Sequence, residues 1–313
     1  MRVLVTGGTG FLGRHLQARL TLHGNAQFCY ANSMDCDLRN QAAVNAFFLE
    51  HKFTHVIHLA ASVGGIGANK QNPGKYCYEN LIMGCNVIEA ARLANIKKVV
   101  CVGTVCSYPK FCQVPFVEED LWKGYPEETN APYGIAKKAI LEMLKGYHTQ
   151  YGMDYTYLIP VNMYGEFDNF DPKSSHVIPA LVDKIIAAKR KGSNTIEVWG
   201  TGKATREFVH ASDVANAIVK ALYIETDVEP LNVGSGEEIS IADLVDKIAI
   251  AAEWSGKMEW LSDKPDGQPR RLISSEKACR ILDYQPEITL DEGLKRLVAW
   301  REATCLPENS PVQ

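Results

Sequence analysis

The chain has no apolar run approaching the roughly 20 residues that span a bilayer, no CxxC pair, and no large excess of charge of either sign. The first absence argues against a membrane partner. With a strand expected from the second residue onward, we read no leader peptide and expect a cytoplasmic protein. Nine scattered cysteines, an odd number, suit small buried residues in a reducing compartment better than a disulfide framework. Without ligand-spaced Cys and His groups, no metal is expected. A formal net charge of −4 gives no basis for a nucleic-acid partner. Internal repeats and low-complexity tracts are also missing. The 313 residues, 46% hydrophobic and 22% charged, suffice to bury a large core and to form two lobes.

What is present begins at once. Val3 to Thr6 read as a buried parallel strand, followed by Gly7, Gly10 and Gly13 and a helix carrying Leu12, Leu16 and Leu20. Gly7 permits a tight turn, Gly10 lets backbone approach a pyrophosphate, and Gly13 lets helix and strand pack closely. Phe11 and Leu12 open the helix whose free N–H groups would face the anion. A glycine turn without a ligand is the alternative.

Strand and helix patterns then alternate: strands at 27–31, 54–61, 97–104 and 154–165, with helices near 41–50 and 73–94 and a further one bearing Tyr133. This rhythm predicts an α/β fold, a Rossmann-type doubly wound parallel sheet with a smaller C-terminal substrate-binding lobe. We expect residues 1–165 in the dinucleotide-binding part, with a return segment at about 205–235. Residues 166–204 and 236–313 would form the smaller lobe. The end of the second strand, Asn32-Ser33-Met34, is neither acidic nor basic, so the ribose signal leaves NADP and NAD both open. Asp37 and Leu38 begin the next turn, near where an adenine would lie. Arg14 and Lys70 are phosphate candidates or ordinary surface charges.

Tyr133 and Lys137 share one helix face. A nearby ammonium would stabilise a phenolate and draw the tyrosine, ordinarily near ~10, toward acid–base work. Thr104, at the end of an intervening strand, adds a hydroxyl.

With the glycine turn, Thr104 and the Tyr-x-x-x-Lys pair in register, the chain resembles the extended short-chain dehydrogenase/reductases. The blocks AASVGGIGAN (60–69), SYPK (107–110), ETNAPYGIAK (128–137), SHVIPAL (175–181), VWGTG (198–202), REFVH (206–210) and KPDGQPRR (264–271) narrow the resemblance to the GDP-L-fucose synthase family. Such enzymes use NADP(H) to epimerise C3 and C5 and to reduce C4 of a GDP-4-keto-6-deoxy-hexose. The C4 ketone acidifies the protons on C3 and C5, and inversion needs one group on each face of the ring. Cys106 and His176 match the family's pair; a thiol near ~8.5 and an imidazole near ~6.5 suit those roles. A core cysteine and a helix-opening surface histidine are the bland alternatives.

For the reduction, the resemblance implies Tyr133 as proton donor, Thr104 as partner of the C4 oxygen, and Lys137 as support for Tyr133 and the nicotinamide ribose. It further implies cofactor contacts from Asn32, Asp37, Leu38, Ala60, Pro160, Asn162 and His176. Arg206 would bind the diphosphate, with Asn162, Lys184, Trp199, Lys264 and Arg270 as further substrate contacts. Trp199 as a core plug, and Lys264 and Arg270 as a solvated loop, are the alternatives. Val105 and Ser107 depart from the family pattern and are expected to line the wall beside Cys106. A homodimer through the 73–94 and Tyr133 helices is implied, with Leu81, Ile88, Ile140 and Leu144 as apolar positions; an ordinary core-facing stripe is the alternative for them. His58 and His210 read as structural. Two other functions stay open: a C4 reductase or dehydrogenase without epimerisation, acting on a related GDP-sugar such as a GDP-6-deoxyheptose, and a non-catalytic dinucleotide-binding sensor.

Overall fold

Parallel strands covered on both faces read as continuous apolar runs, and the computed structural model, which describes residues 1–21, 26–225, 229–264 and 268–304, is built around such strands. β1 (Arg2–Thr6), α1 (Phe11–Leu20), β2 (Gln27–Ala31), α2 (Gln41–His51) and β3 (His55–His58) open it. α3 (Ile66–Gln71), α4 (Pro73–Leu93), β4 (Lys98–Val102), α5 (Ala131–Tyr151) and β5 (Asp154–Pro160) follow. Then come β6 (Asn162–Tyr164), α6 (Val177–Lys191), β7 (Thr195–Trp199), β8 (Thr205–His210), α7 (Ala211–Tyr223) and β9 (Leu231–Val233). The last described elements are β10 (Glu238–Ser240), α8 (Ile241–Ala251), β11 (Lys257–Leu261), α9 (Glu276–Leu282) and α10 (Leu290–Thr304).

Six parallel strands form the main sheet in the order β2-β1-β3-β4-β5-β9. Connections leave β1 in opposite directions on its two sides, so a crevice opens beyond the carboxyl ends of β1 and β3. Leu12, Leu16 and Leu20 recur every four residues and are all buried, fixing α1 against the sheet. A second core, including Ile178, Val182, Ile185, Leu244, Ile248 and Leu294, lies among α6, α8 and α10. No helix among the described residues is long and apolar enough to cross a membrane.

Several expectations need correction. The run 154–165 is two strands. β5 ends at Pro160, which has no N–H to continue pairing, and Asn162 starts β6 in a separate sheet ordered β10-β8-β6. β8 therefore lies outside the main sheet, while α7 and β9 return to it. Ile273, Ala278, Leu282 and Tyr284 also join the first core, so the stretch 236–313 is not all one lobe. Ile88, Ile140 and Leu144, read as dimer positions, are at most 2% exposed inside the chain.

His58, 2% exposed, places Nδ1 2.8 Å from the Thr6 hydroxyl. Burial first, and the charge of Lys137 second, lower its pKa from 6.5 to about 3. An unfolded chain takes up this proton near 6.5, a folded one only near 3, so the stability is fully present above 6.5 and drains away as pH falls toward 3. Urea unfolding at pH 5 against pH 7.5 should show a loss of about 2 kcal/mol from this residue. His58→Asn should remove most of that pH dependence; an unaltered slope would refute the assignment.

Candidate active site

At the end of β1 the chain must turn sharply, and Gly7 does so at φ +68°, where an added Cβ would lie 2.8 Å from Ala60 N. Ala60, just past β3, thus closes over the turn, as the crossing point of the sheet requires. A Cβ at Gly13 would lie 2.3 Å from Gly8 O, so α1 starts directly on the turn, with Phe11 and Leu12 as its first residues. These two contacts leave a bare backbone cradle at a helix N-terminus, which fits a pyrophosphate. Nearby, the Asn32 side chain accepts from Met34 N at 2.7 Å, and Leu38 O accepts from Asn86 Nδ2 at 2.8 Å. Asp37 is held by Arg39 through two bonds of 2.9 and 3.0 Å. That carboxylate is thus already neutralised by a guanidinium.

β4 ends beside β3 and runs into Thr104, whose hydroxyl oxygen accepts from Cys106 N at 3.2 Å. The same threonine side chain lies close enough to the phenol of Tyr133 to bear on its acidity. Gly134, next on α5, lets the Cys106 backbone lie against the helix, and Ser107 Oγ donates to Gly134 O at 3.0 Å. Thr104, Cys106, Tyr133 and Lys137 therefore form one cluster.

Its electrostatics differ from the expectation. Burial pushes the Tyr133 phenol well above its ordinary value, the negative charge available at Cys106 raises it further, and the Thr104 side chain opposes this. Lys137 does not reverse the trend. Its ammonium donates to Val102 O at 2.9 Å, and burial lowers its own pKa. The phenol is accordingly a proton-bearing group at neutral pH.

His176 stands at the N-cap of α6, and its side chain makes no capping bond. The loop before it is held to the far side of the cleft by Gly65 N, which donates to Ser174 O at 2.9 Å. That contact sets the loop before α6 against the segment that follows β3. His176 is exposed at the mouth of α6, and the partial desolvation of its ring lowers its pKa below 6.5.

The remaining expected residues are less uniform. Asn162 donates to Glu207 O at 2.9 Å, and Pro160 closes β5. Arg206 donates to Thr205 O at 2.7 Å, and Lys184 to Glu197 O at 2.9 Å. Trp199 is 61% exposed, which rules out the core plug. Lys264 pairs with Asp263 at 3.3 Å. Arg270 is spent on Glu238 through bonds of 2.9 and 2.6 Å, so it is not a free cation for a ligand. Val105 and Ser107, at 4% and 2% exposure, face protein and do not line the wall beside Cys106.

Arg271 is a site residue that the motifs do not single out. It is 8% exposed, and its NH1 donates to Cys106 Sγ at 3.7 Å. Strand alternation held the signal, since Arg271 lies two residues before Ile273, which is buried. A second unforeseen group is His15, Glu166 and His210, close enough to suggest a metal. Hydrogen-bond direction opposes that reading. Ser212 N donates to His210 Nδ1, so the ring proton sits on Nε2, 3.2 Å from the Glu166 carboxylate. The two atoms meet at 3.2 Å without hydrogen-bond geometry, and His210 is still the largest cause of the Glu166 pKa falling to about 2. The cluster is a buried clamp tying α1 to β8.

A family model for the NAD dependent epimerase/dehydratase family matches residues 3–234. The chain is 37% identical over 299 residues to GDP-L-fucose synthase 1 of Arabidopsis thaliana, covering 96% of this chain and 92% of that protein. Among solved structures, a GDP-6-OMe-4-keto-L-xylo-heptose reductase from C. jejuni superposes with a TM-score of 0.89 at 29% identity, covering 96% and 97% of the two chains. A GDP-L-fucose synthetase from Naegleria fowleri bound to NADP gives 0.88 at 27% identity, covering 96% and 94%.

Proposed function

We propose, because this chain belongs to the NAD dependent epimerase/dehydratase family and is related along nearly its whole length to GDP-L-fucose synthases, that it is an NADP(H)-dependent epimerase-reductase. It inverts C3 and C5 and reduces C4 of a GDP-4-keto-6-deoxy-hexose, giving GDP-L-fucose. The observation that carries the reading is the placement of Thr104. Its hydroxyl holds the Cys106 N–H and its side chain stands beside the Tyr133 phenol, so groups for two different chemistries meet at one residue.

In the epimerisations, Cys106 removes the proton next to the ketone and the electron pair moves onto the C4 oxygen. His176 then delivers a proton to the opposite face; its lowered pKa makes the protonated ring a ready donor. In the reduction, the cofactor when bound would supply a hydride to C4. Tyr133 gives its proton to the C4 oxygen, Thr104 orients both, and Lys137 supports the phenol and the cofactor ribose. Gly7, Gly10, Phe11, Leu12 and Gly13 hold the pyrophosphate, with Asn32, Asp37, Leu38, Ala60, Pro160 and Asn162 around the rest of the cofactor. Arg206, Lys184 and Trp199 take the nucleoside diphosphate. A homodimer through α4 and α5 belongs to the same reading, covering Tyr78 and Ile135, which are exposed apolar residues on those helices.

The second reading, C4 reduction alone on a related GDP-sugar, draws on the likeness to the heptose reductase. Reaction in deuterated solvent separates the two. The wild type should place deuterium at C3 and C5, and Cys106→Ser should lose this incorporation by at least about 10²-fold. A wild type that incorporates none is a reductase only.

A further inference from the structure

We infer that Arg271 is a further catalytic residue, the cation that holds negative charge on the Cys106 sulfur. This deepens the epimerase reading and rests on it for the role of the thiolate.

The segment 271–274 is fixed on both sides. Glu207 N donates to Arg271 O, and Phe116 N donates to Leu272 O, at 3.1 and 2.9 Å. The Arg271 side chain turns inward, where NH2 donates to Gln268 Oε1 at 3.0 Å and NH1 to Cys106 Sγ at 3.7 Å. Gln268 is itself held by Lys110 O at 3.0 Å. Buried Nε of Arg271 meets no acceptor, and the guanidinium forms no ion pair with a carboxylate among the described residues. A buried cation without an anion is costly. Every partner it has among the described residues is neutral, except that the sulfur becomes an anion when it gives up its proton.

The proton balance needs no other reactant. The Cys106 thiolate takes the proton from carbon and becomes a thiol, and the C–H electron pair passes to the C4 oxygen. His176 replaces the proton on the opposite face. The thiol then releases its proton to solvent, His176 takes one up from solvent, and Arg271 again faces a thiolate. Arg271 makes and breaks no covalent bond.

The competing source of negative charge is the substrate's diphosphate, and the test distinguishes them. Iodoacetamide reacts with the thiolate, so its rate at Cys106, followed by mass spectrometry of that peptide in the full-length protein, reports the charge on sulfur without any turnover. Arg271→Met should slow alkylation about tenfold, while Arg271→Lys should recover most of the rate. GDP affinity should change by less than about twofold in both. Should Arg271→Met fail to fold, Gln268→Ala, which only loosens the guanidinium, should still slow alkylation measurably. Unchanged alkylation in the folded variants overturns the inference. So does a large loss of GDP affinity without slower alkylation, which would assign Arg271 to the diphosphate. Absence of deuterium exchange in the wild type would refute the epimerase reading and leave the alkylation result to decide the Arg271–Cys106 coupling.

Discussion

Tyr133→Phe is expected to slow reduction at C4 by roughly 10²–10⁴-fold, the usual worth of a positioned general acid, while solvent exchange at C3 and C5 survives within a few-fold. Hydride addition turns the C4 oxygen into an alkoxide, which needs a proton at once. Tyr133 is 8% exposed and lies beside Thr104. Burial keeps its proton in place far above neutral pH, so the group arrives at the reaction as an acid. Phenylalanine fills the same space and leaves Thr104, Cys106 and His176 where they are. The same logic fixes a pH dependence. Since the phenol's pKa is raised, not lowered, reduction should not fall off between pH 7 and pH 9 through loss of the tyrosine proton. Single-turnover decay of NADPH absorbance measures the first effect, and mass spectrometry of the recovered sugar measures the second. Undiminished reduction by Tyr133→Phe would remove the tyrosine from the mechanism.

That the expectation for Tyr133 had the wrong sign shows where sequence reading stops. Local spacing was legible: the leucines of α1, the strands at 27–31 and 98–102, and the shared face of Tyr133 and Lys137 follow from period and turn chemistry alone. The protonation of that pair was not legible, because it depends on what covers it. Val102 O takes the ammonium and the surrounding core desolvates the phenol, and neither lies within the motif. The same limit appears at Ile88, Ile140 and Leu144, where an apolar stripe names a buried face without saying whether a core or a second subunit buries it. Arg270 and Arg271 show it most sharply. Two neighbouring arginines on an extended segment point to opposite sides, and the motif does not say which of them turns inward.

Gly134→Ala is expected to lower both half-reactions by about 10²-fold, the scale of a displacement near 1 Å at a reacting group. Ordinarily this substitution inside a helix favours folding by up to about 1 kcal/mol. Here the new Cβ would lie 2.3 Å from Cys106 O, 3.0 Å from Cys106 C and 3.3 Å from Ser107 Cα. All three are backbone atoms, so no side chain can swing aside. Either α5 retreats, carrying Tyr133 and Lys137 away from Thr104, or the 105–107 segment moves and takes the Cys106 sulfur with it. Both routes also strain the Ser107 hydroxyl bond to Gly134 O. Gly146→Ala on the same helix is the control, since its Cβ would meet nothing within 4 Å. It should leave both rates unchanged and raise the melting temperature slightly. If the two alanines behave alike, the contact between α5 and the Cys106 backbone does not position the thiol.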